Sequence, residues 1–214
     1  MRRLALIMVL AGAACSKSAP SPTDAGGGTP DAGTAPDAGG VRDAGNLAPG
    51  LAYLPPSSGK IQLVRDPSST ATTIVLDLTT TVPLTGFSVG FNLPLDATRV
   101  RLSSPAFLAG SALPAGASPP AAGIALPTSG PLTGVLVAAQ SQKGSGNGAA
   151  PADSAVPVGA VLFTVRLDAA PDAGSGVVFD GAALGQAFSA GFRDRSGNDV
   201  VQASEFGIGR LELH

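Results

Sequence analysis

Short apolar runs with a period of two residues dominate the chain from Leu51 onward, and they constrain the fold most strongly. In residues 72–80, Ile74, Leu76 and Leu78 occupy every second position and so share one face of an extended chain. No stretch repeats its apolar residues with a helical period. Comparable runs, bounded by Gly, Pro, Asp and Ser, occur at residues 60–65, 86–93, 99–104, 134–140, 160–168, 176–180 and 208–213. The pattern predicts an all-β fold, an antiparallel β-sandwich.

Two polar or Pro/Ala-rich stretches interrupt these runs. Residues 103–123 are predicted to form a long irregular loop, and residues 141–155 a second, Gly-rich loop. Loops longer than about 15 residues are uncommon and often functional.

The amino terminus has the three parts of a secretory signal. Residues 1–3 are positively charged, residues 4–14 are apolar, and small residues precede Cys15, the only cysteine. The apolar run is shorter than the roughly 20 residues that span a bilayer. The stretch resembles the lipobox of bacterial lipoproteins, which implies that Cys15 is lipidated and becomes the new amino terminus; the alternative is an ordinary signal peptide with an incidental cysteine. The residue after Cys15 is Ser16, whereas an inner-membrane retention signal has Asp at that position. This favours the outer membrane of the cell envelope and does not indicate which leaflet carries the lipid.

The composition changes again after Cys15. Residues 16–50 consist almost entirely of Ser, Pro, Thr, Asp, Ala and Gly, with Asp-Ala-Gly repeated four times. Such a segment cannot bury enough apolar surface to offset its chain entropy, so a disordered spacer is predicted. One Asp per repeat is a poor calcium cage. The predicted organisation is a signal peptide over 1–14, a lipidated Cys and linker over 15–50, and one domain over 51–214.

The residues that most enzymes need are scarce. The single His is His214, at the chain terminus, and the only Glu residues are Glu205 and Glu212. There is neither a His/Cys cluster for zinc nor a phosphate-binding loop. We therefore predict a protein that is not an enzyme. A net charge of −2 without a basic run argues against nucleic-acid binding.

The polar sequence Asp-Arg-Ser-Gly-Asn-Asp near the carboxyl end has two interpretations. Asp194, Ser196, Asn198 and Asp199 could offer oxygen ligands to Ca²⁺, although the segment lacks the length and final bidentate Glu of an EF-hand loop. The favoured interpretation is a hairpin turn in which Gly197 supplies a positive φ. No cofactor is otherwise predicted.

The aromatic residues offer little for stacking against sugars. The chain has no Trp, its one Tyr is Tyr53 beside the linker, and the eight Phe lie mostly within apolar runs. Phe107 is the exception, since it falls in the predicted long loop beside Leu108. This pair is a candidate partner contact, or it caps the edge of the sandwich.

The order of motifs resembles a cohesin-type domain over residues 60–213. Residues 86–89 (GFSV) and 95–100 (LDATRV) match the family's opening strands. Residues 159–181 resemble its later strand and hairpin, residues 192–200 a late turn, and residues 208–213 its closing strand. The resemblance implies a jelly-roll β-sandwich of nine strands, related to some carbohydrate-binding modules. The 103–123 segment is longer than the family pattern, and the chain has no dockerin-like duplicated calcium loop.

Together these features predict a lipid-anchored, envelope-displayed recognition module without catalytic activity. The membrane is contacted through the amino-terminal lipid, and the partner is a protein, dockerin-like or another envelope protein. The alternatives are a module that binds a polysaccharide at the cell surface and a structural envelope lipoprotein without a specific ligand.

Overall fold

Fifteen β-strands and three short 3-10 helices form the regular structure of the described part of the chain. The structure is a computed structural model and describes residues 50–113, 121–142 and 151–214. The strands are β1 (Leu51–Leu54), β2 (Ile61–Arg65), β3 (Thr73–Thr80), β4 (Leu84–Gly86), β5 (Ser88–Pro94), β6 (Val100–Ala109), β7 (Ala121–Ala125), β8 (Val135–Ser141), β9 (Ser154–Val156), β10 (Val161–Ala169), β11 (Gly176–Asp180), β12 (Ser189–Arg193), β13 (Asp199–Gln202), β14 (Phe206–Gly207) and β15 (Arg210–Leu213). The 3-10 helices are Gly181–Ala183, Gly185–Ala187 and Ala203–Glu205.

Two five-stranded sheets contain most of these strands. Sheet I has the order β14-β2-β3-β10-β6, and sheet II has the order β13-β12-β5-β8-β7. Neighbouring strands are antiparallel except for the short parallel pairing of β14 with β2. A three-stranded sheet, β1-β15-β11, and the pair β4-β9 complete the fold.

The core lies between the two large sheets. In β3 and β5 the residues at alternate positions are buried, as a sheet with one face against a core requires. Phe91 of sheet II and Phe163 of sheet I meet with ring centroids 5.6 Å apart. Each fully buried residue of this size contributes roughly 1.5–3 kcal/mol through the hydrophobic effect. The all-β expectation of antiparallel sheets enclosing a core is therefore confirmed.

The prediction of an irregular loop over residues 103–123 is wrong in part. Strand β6 continues through Ala109, and β7 begins at Ala121. Pro105 and the small residues around it concealed the strand, because Pro removes a ladder hydrogen bond. The register of β6 against β10 shifts between Leu102 and Phe107, so the proline falls where pairing is interrupted. The second predicted loop, over 141–155, is also shortened, because β9 occupies Ser154–Val156.

Both ends of the described domain are more ordered than the sequence indicates. The main chains of Gly50 and His214 exchange two hydrogen bonds of 3.1 and 2.9 Å. Tyr53, expected at the edge of a linker, lies in β1, which pairs with β15.

The predicted signal peptide, Cys15 and the linker up to residue 49 lie outside the described residues. Within the described ranges, no helix has the length and hydropathy needed to cross a membrane.

Candidate recognition surface

The centre of the outer face of sheet II is built of small side chains. On β5 the outward positions are Ser88, Gly90 and Asn92, which alternate with buried apolar residues. The strand register places Gly90 between Ala139 of β8 and Gly191 of β12. We call this surface the small-residue face; it comprises Ser88, Gly90, Asn92, Ala139, Ser141, Ser189, Gly191 and Arg193, and it contains a shallow depression of about 300 Å³.

Close approach between strands explains the glycines at the centre of this face. A Cβ atom added at Gly90 would lie 2.9 Å from the Cβ of Ala139 and 3.0 Å from the carbonyl oxygen of Ala138. One added at Gly191 would lie 3.1 Å from the Asp199 carboxylate. The absence of side chains at both positions opens the depression.

Polar groups surround the depression. The Asn92 side-chain amide donates to the Ser189 hydroxyl at 3.1 Å. The Arg193 guanidinium donates to the Asp199 carboxylate at 2.8 Å, and both side chains are about half exposed. The face thus offers hydroxyls, an amide and one ion pair over a floor of glycine and alanine. This is the chemistry of hydrogen-bonded recognition.

Of the candidate calcium cluster, Asp194, Ser196 and Asn198 lie in the turn between β12 and β13, and Asp199 is the first residue of β13. The Asp194 carboxylate accepts hydrogen bonds from the main-chain N–H groups of Ser196 and Asn198, at 2.8 and 2.9 Å, and from the Asn198 side chain at 2.9 Å. These bonds, chiefly those from Asn198, lower the pKa of Asp194. Gly197 has a φ of 85°. The geometry is that of a hairpin turn held by its own aspartate.

The two carboxylates of this cluster have different partners. Asp199 points to Arg193 and so does not join Asp194. Across the described ranges, no group of three His, Cys, Asp or Glu residues could hold a metal ion. The Asp194 carboxylate is engaged by N–H groups, which leaves it with reduced capacity for Ca²⁺.

Phe107 and Leu108 do not form one exposed pair. They are neighbours in β6, so their side chains point to opposite faces of sheet I. The ring of Phe107 packs against Phe163 with centroids 5.2 Å apart, while Leu108 is 45 % exposed. Phe107 therefore closes the edge of the core, and Leu108 alone could meet a partner.

A charged cluster marks the outer face of sheet I. Asp77 of β3 accepts a hydrogen bond from the Thr164 hydroxyl at 2.5 Å. Partial burial, together with the nearby carboxylate of Asp66, raises the pKa of Asp77. The pKa of Asp66 is lowered, mainly by hydrogen bonds from Ser68. The two outer faces thus differ: sheet I carries interacting carboxylates, and the centre of sheet II is uncharged.

A larger cleft lies beside β14. It has a volume of about 650 Å³ and is lined by polar residues, such as Ser58 and Ser204, and by apolar ones, such as Phe188. Asp180 and Arg210 form an ion pair of 3.6 Å at this cleft. Neither this cleft nor the small-residue face was identified from the sequence. The signal for the face was the outward series Ser-x-Gly-x-Asn in β5, but its neighbours on β8 and β12 depend on strand register.

No protein-family model matches this sequence, and comparisons with curated proteins and with solved structures give no match.

Proposed function

We propose that the protein is a lipid-anchored, envelope-displayed recognition module that binds a protein partner through the small-residue face and catalyses no reaction. The observation that supports this proposal is the uncharged, shallow centre of that face, which is bordered by hydrogen-bonding groups and one exposed ion pair. Protein interfaces commonly combine a centre depleted of charge with a polar rim.

The geometry favours a protein over a sugar as the ligand of this face. Sugar sites commonly stack a ring against an exposed aromatic side chain, and the residues of the small-residue face include none. Phe91 and Phe192, which lie on the strands that form the face, point into the core instead. A broad, open surface also suits a partner with its own extended surface.

The domain type is part of the proposal. Two five-stranded sheets, with β5, β8 and β12 adjacent in one of them, support a jelly-roll sandwich of cohesin type. A dockerin-like module or another envelope protein is the proposed partner. The charged outer face of sheet I would then remain in water.

The anchor is a further part of the proposal. Cys15 would carry the lipid, and residues 16–49 would separate the domain from the outer membrane. Several acyl chains hold a protein at a membrane more firmly than one chain does. An intact mass of the full chain from a Gram-negative host, beside Cys15→Ala, tests this. A mass that corresponds to a chain beginning at an unmodified residue would contradict lipidation.

A matched pair of tryptophan variants tests the binding face. Ala139 and Ala155 are both exposed strand residues, but only Ala139 lies on the small-residue face. The full chain, Ala139→Trp and Ala155→Trp would each be used to capture proteins from envelope extract of the producing organism. Circular dichroism would establish that each variant is folded.

We expect Ala139→Trp to abolish capture of a specific protein that wild type and Ala155→Trp both retain. Equal capture by the two variants would refute the assignment of the face. Binding of purified envelope polysaccharide that Ala139→Trp blocks would instead favour the carbohydrate-binding alternative. Absence of any specific ligand would favour the structural alternative.

A further inference from the structure

The connection between β2 and β3 contains the one Asp-Pro sequence of the chain, Asp66-Pro67. The peptide nitrogen of a proline carries no hydrogen and belongs to a tertiary amide. Such a nitrogen takes up a proton more readily than the nitrogen of a secondary amide, and it is then a good leaving group. Pro67 is exposed, so acid in the solvent can reach this bond.

The Asp66 carboxylate is held in place beside the bond. Its Oδ1 atom accepts a hydrogen bond of 2.7 Å from the main-chain N–H of Ser68 and a second one from the Ser68 hydroxyl. The Asp66 N–H donates to the Val75 carbonyl at 2.9 Å. Main chain and side chain of Asp66 are therefore both fixed, and a carboxylate is a nucleophile that can attack a neighbouring carbonyl carbon.

The main-chain carbonyl of Asp66 is polarised in the sense that this attack requires. Its oxygen accepts hydrogen bonds from the Ser69 N–H at 3.1 Å and from the Ser69 hydroxyl at 2.8 Å. The same hydroxyl is 3.1 Å from the Val75 carbonyl oxygen, so its bond to Asp66 is the shorter of the two. Donors aimed at a carbonyl oxygen stabilise the negative charge that develops there when a nucleophile adds to the carbon.

A second carboxyl group helps to keep Asp66 ionised in acid. The pKa of Asp66 is lowered, first by the hydrogen bonds from Ser68 and further by a hydrogen bond with Asp77 of β3 and by the charge of Arg166 of β10. Burial raises the pKa of Asp77, and the charge of Asp66 adds to this effect. Asp77 therefore takes up a proton before Asp66 does as the pH falls. The nucleophile stays charged while the solvent becomes acidic enough to protonate the proline nitrogen.

We propose that this chain cleaves its own Asp66–Pro67 bond in mild acid. A bond forms between a carboxylate oxygen of Asp66 and the main-chain carbonyl carbon of the same residue, and the bond from that carbon to the Pro67 nitrogen breaks. The nitrogen keeps the electron pair, takes a proton from the solvent and becomes a new amino terminus. Water then opens the cyclic anhydride and leaves Asp66 with two carboxyl groups. Each chain reacts once and turns over no substrate, so the inference goes beyond the proposed function and does not depend on it.

Strand pairing would hold the two pieces together after the cut. Strand β1 pairs with β15 over four residues, and β2 pairs with β3 over five. Residues 1–66 would thus stay on the domain through hydrogen bonds and packing, without a covalent connection to residues 67–214. Denaturant would separate the pieces.

The turn at Asp96 provides a matched comparison within the same chain. The Asp96 Oδ1 atom accepts from the N–H of Thr98 at 3.0 Å and from its hydroxyl, and the Asp96 carbonyl accepts from the Arg99 N–H at 3.1 Å. This arrangement repeats that of residues 66–69, with Ala97 in place of the proline and an arginine in place of the second serine. Here the carboxylate is also paired with Arg99 at 2.8 Å. Ala97→Pro therefore creates a second Asp-Pro bond in a similar turn that has no serine hydroxyl at the corresponding position.

Purified full-length wild type, Asp66→Asn, Pro67→Ala and Ala97→Pro would be held at pH 7 and in mildly acidic buffer, with circular dichroism to establish that each stays folded. Denaturing gels and intact masses would detect pieces that end at Asp66 and begin at Pro67. We expect wild type to break there in acid at a rate independent of protein concentration. Asp66→Asn and Pro67→Ala should stay intact, and Ala97→Pro should break faster at Asp66–Pro67 than at its new bond.

Three results would overturn the proposal. The first is a folded wild-type chain that stays intact in acid. The second is an equal rate at the two Asp-Pro bonds of Ala97→Pro, or a faster rate for wild type unfolded in urea at the same pH, because either would assign cleavage to the dipeptide alone. The third is cleavage of Asp66→Asn at the wild-type rate, which would identify a contaminating protease.

A pair of variants at Ser69 tests the polarised carbonyl. Loss of one donor to a developing oxyanion slows enzymes by roughly 100-fold or more, and the Ser69 N–H remains here, so we expect Ser69→Ala to slow the cleavage by about tenfold. Ser69→Thr keeps a hydroxyl and should cleave at nearly the wild-type rate. Equal rates for Ser69→Ala and wild type, both with native circular dichroism spectra, would refute the role of this hydroxyl.

Discussion

Tyr53 is predicted to titrate far above an ordinary tyrosine. Its hydroxyl donates to the Leu63 carbonyl at 2.5 Å and accepts from the Gly209 N–H at 3.0 Å. Its ring contacts Phe179 edge to face, with centroids 6.2 Å apart. Burial raises the pKa of Tyr53 from 10.0 to about 12, and the hydrogen bond from Gly209 offsets only part of that effect. The residue therefore ties β1 to β2 and to the chain that precedes β15.

The free-energy contribution of Tyr53 follows from this pKa shift. A tenfold change in acidity corresponds to about 1.4 kcal/mol, so the folded state disfavours tyrosinate at this position by about 3 kcal/mol. The folded-state pKa lies above the unfolded one. The contribution to stability is thus fully present below pH 10 and is lost as the pH rises from 10.0 to about 12.

The chain is suited to measuring this, since it has one Tyr and no Trp. Ultraviolet difference absorbance would report the formation of tyrosinate at Tyr53 alone, first in buffer and then in urea. We expect a midpoint near 12 for the folded protein and near 10 for the unfolded chain. A folded-state midpoint near 10, with native circular dichroism throughout, would refute the burial and hydrogen bonding of this hydroxyl.

The control for this measurement is Tyr53→Phe, which removes the absorbance signal. It also leaves the Leu63 carbonyl and the Gly209 N–H without their partner. We expect a loss of about 2–4 kcal/mol in the free energy of unfolding, measured with urea, because each unpaired buried polar group costs about 1–3 kcal/mol. An unchanged urea midpoint would contradict this role.

Three further outcomes can be measured by chemical or thermal unfolding. Gln140→Ala should lower the free energy of unfolding by about 2–4 kcal/mol. The buried amide donates to the carbonyls of Gly110 and Leu113, both at 2.8 Å, and its loss leaves two acceptors unpaired. A urea midpoint equal to that of wild type would contradict this. Asp77→Asn should stabilise the protein at pH 7, because a carboxyl pKa that is raised by folding makes the folded state less stable as the pH rises past the unfolded pKa. The gain in stability should vanish in acid. A loss of stability at pH 7 would contradict a raised pKa for Asp77. Deleting residues 16–49 should leave the melting temperature nearly unchanged if they form only a spacer, whereas a large decrease would show that they pack on the domain.

The alternation of apolar and polar residues was sufficient to predict the central strands. Strands β3, β5 and β10 each carry a buried series of large apolar residues, and the sequence identified all three. Strand β7 was missed because Ala and Gly carry little strand signal, and its position is fixed by pairing with β8. The second half of β6 was missed because Pro105 interrupts the pattern. In both cases a tertiary contact outweighed local preference.

The candidate face could not be derived from local sequence for a related reason. Gly90 becomes informative only when register places it between Ala139 and Gly191, residues about 50 and 100 positions away. Each glycine alone resembles a weak point in a strand. The turn at Asp194 was easier to predict from the sequence, because its hydrogen bonds lie within five consecutive residues.

The contrast between the two outer faces provides the strongest reason to place recognition on sheet II. A partner that covered the outer face of sheet I would have to desolvate Asp77 further, where burial already raises the carboxyl pKa. On sheet II a partner would cover Gly90, Gly191 and Ala139 at the centre, which carry no side-chain charge. The Arg193–Asp199 pair stands at the margin, where it can keep contact with water. On the outer face of sheet II, burial thus costs least at the depression, and Ala139→Trp fills that depression.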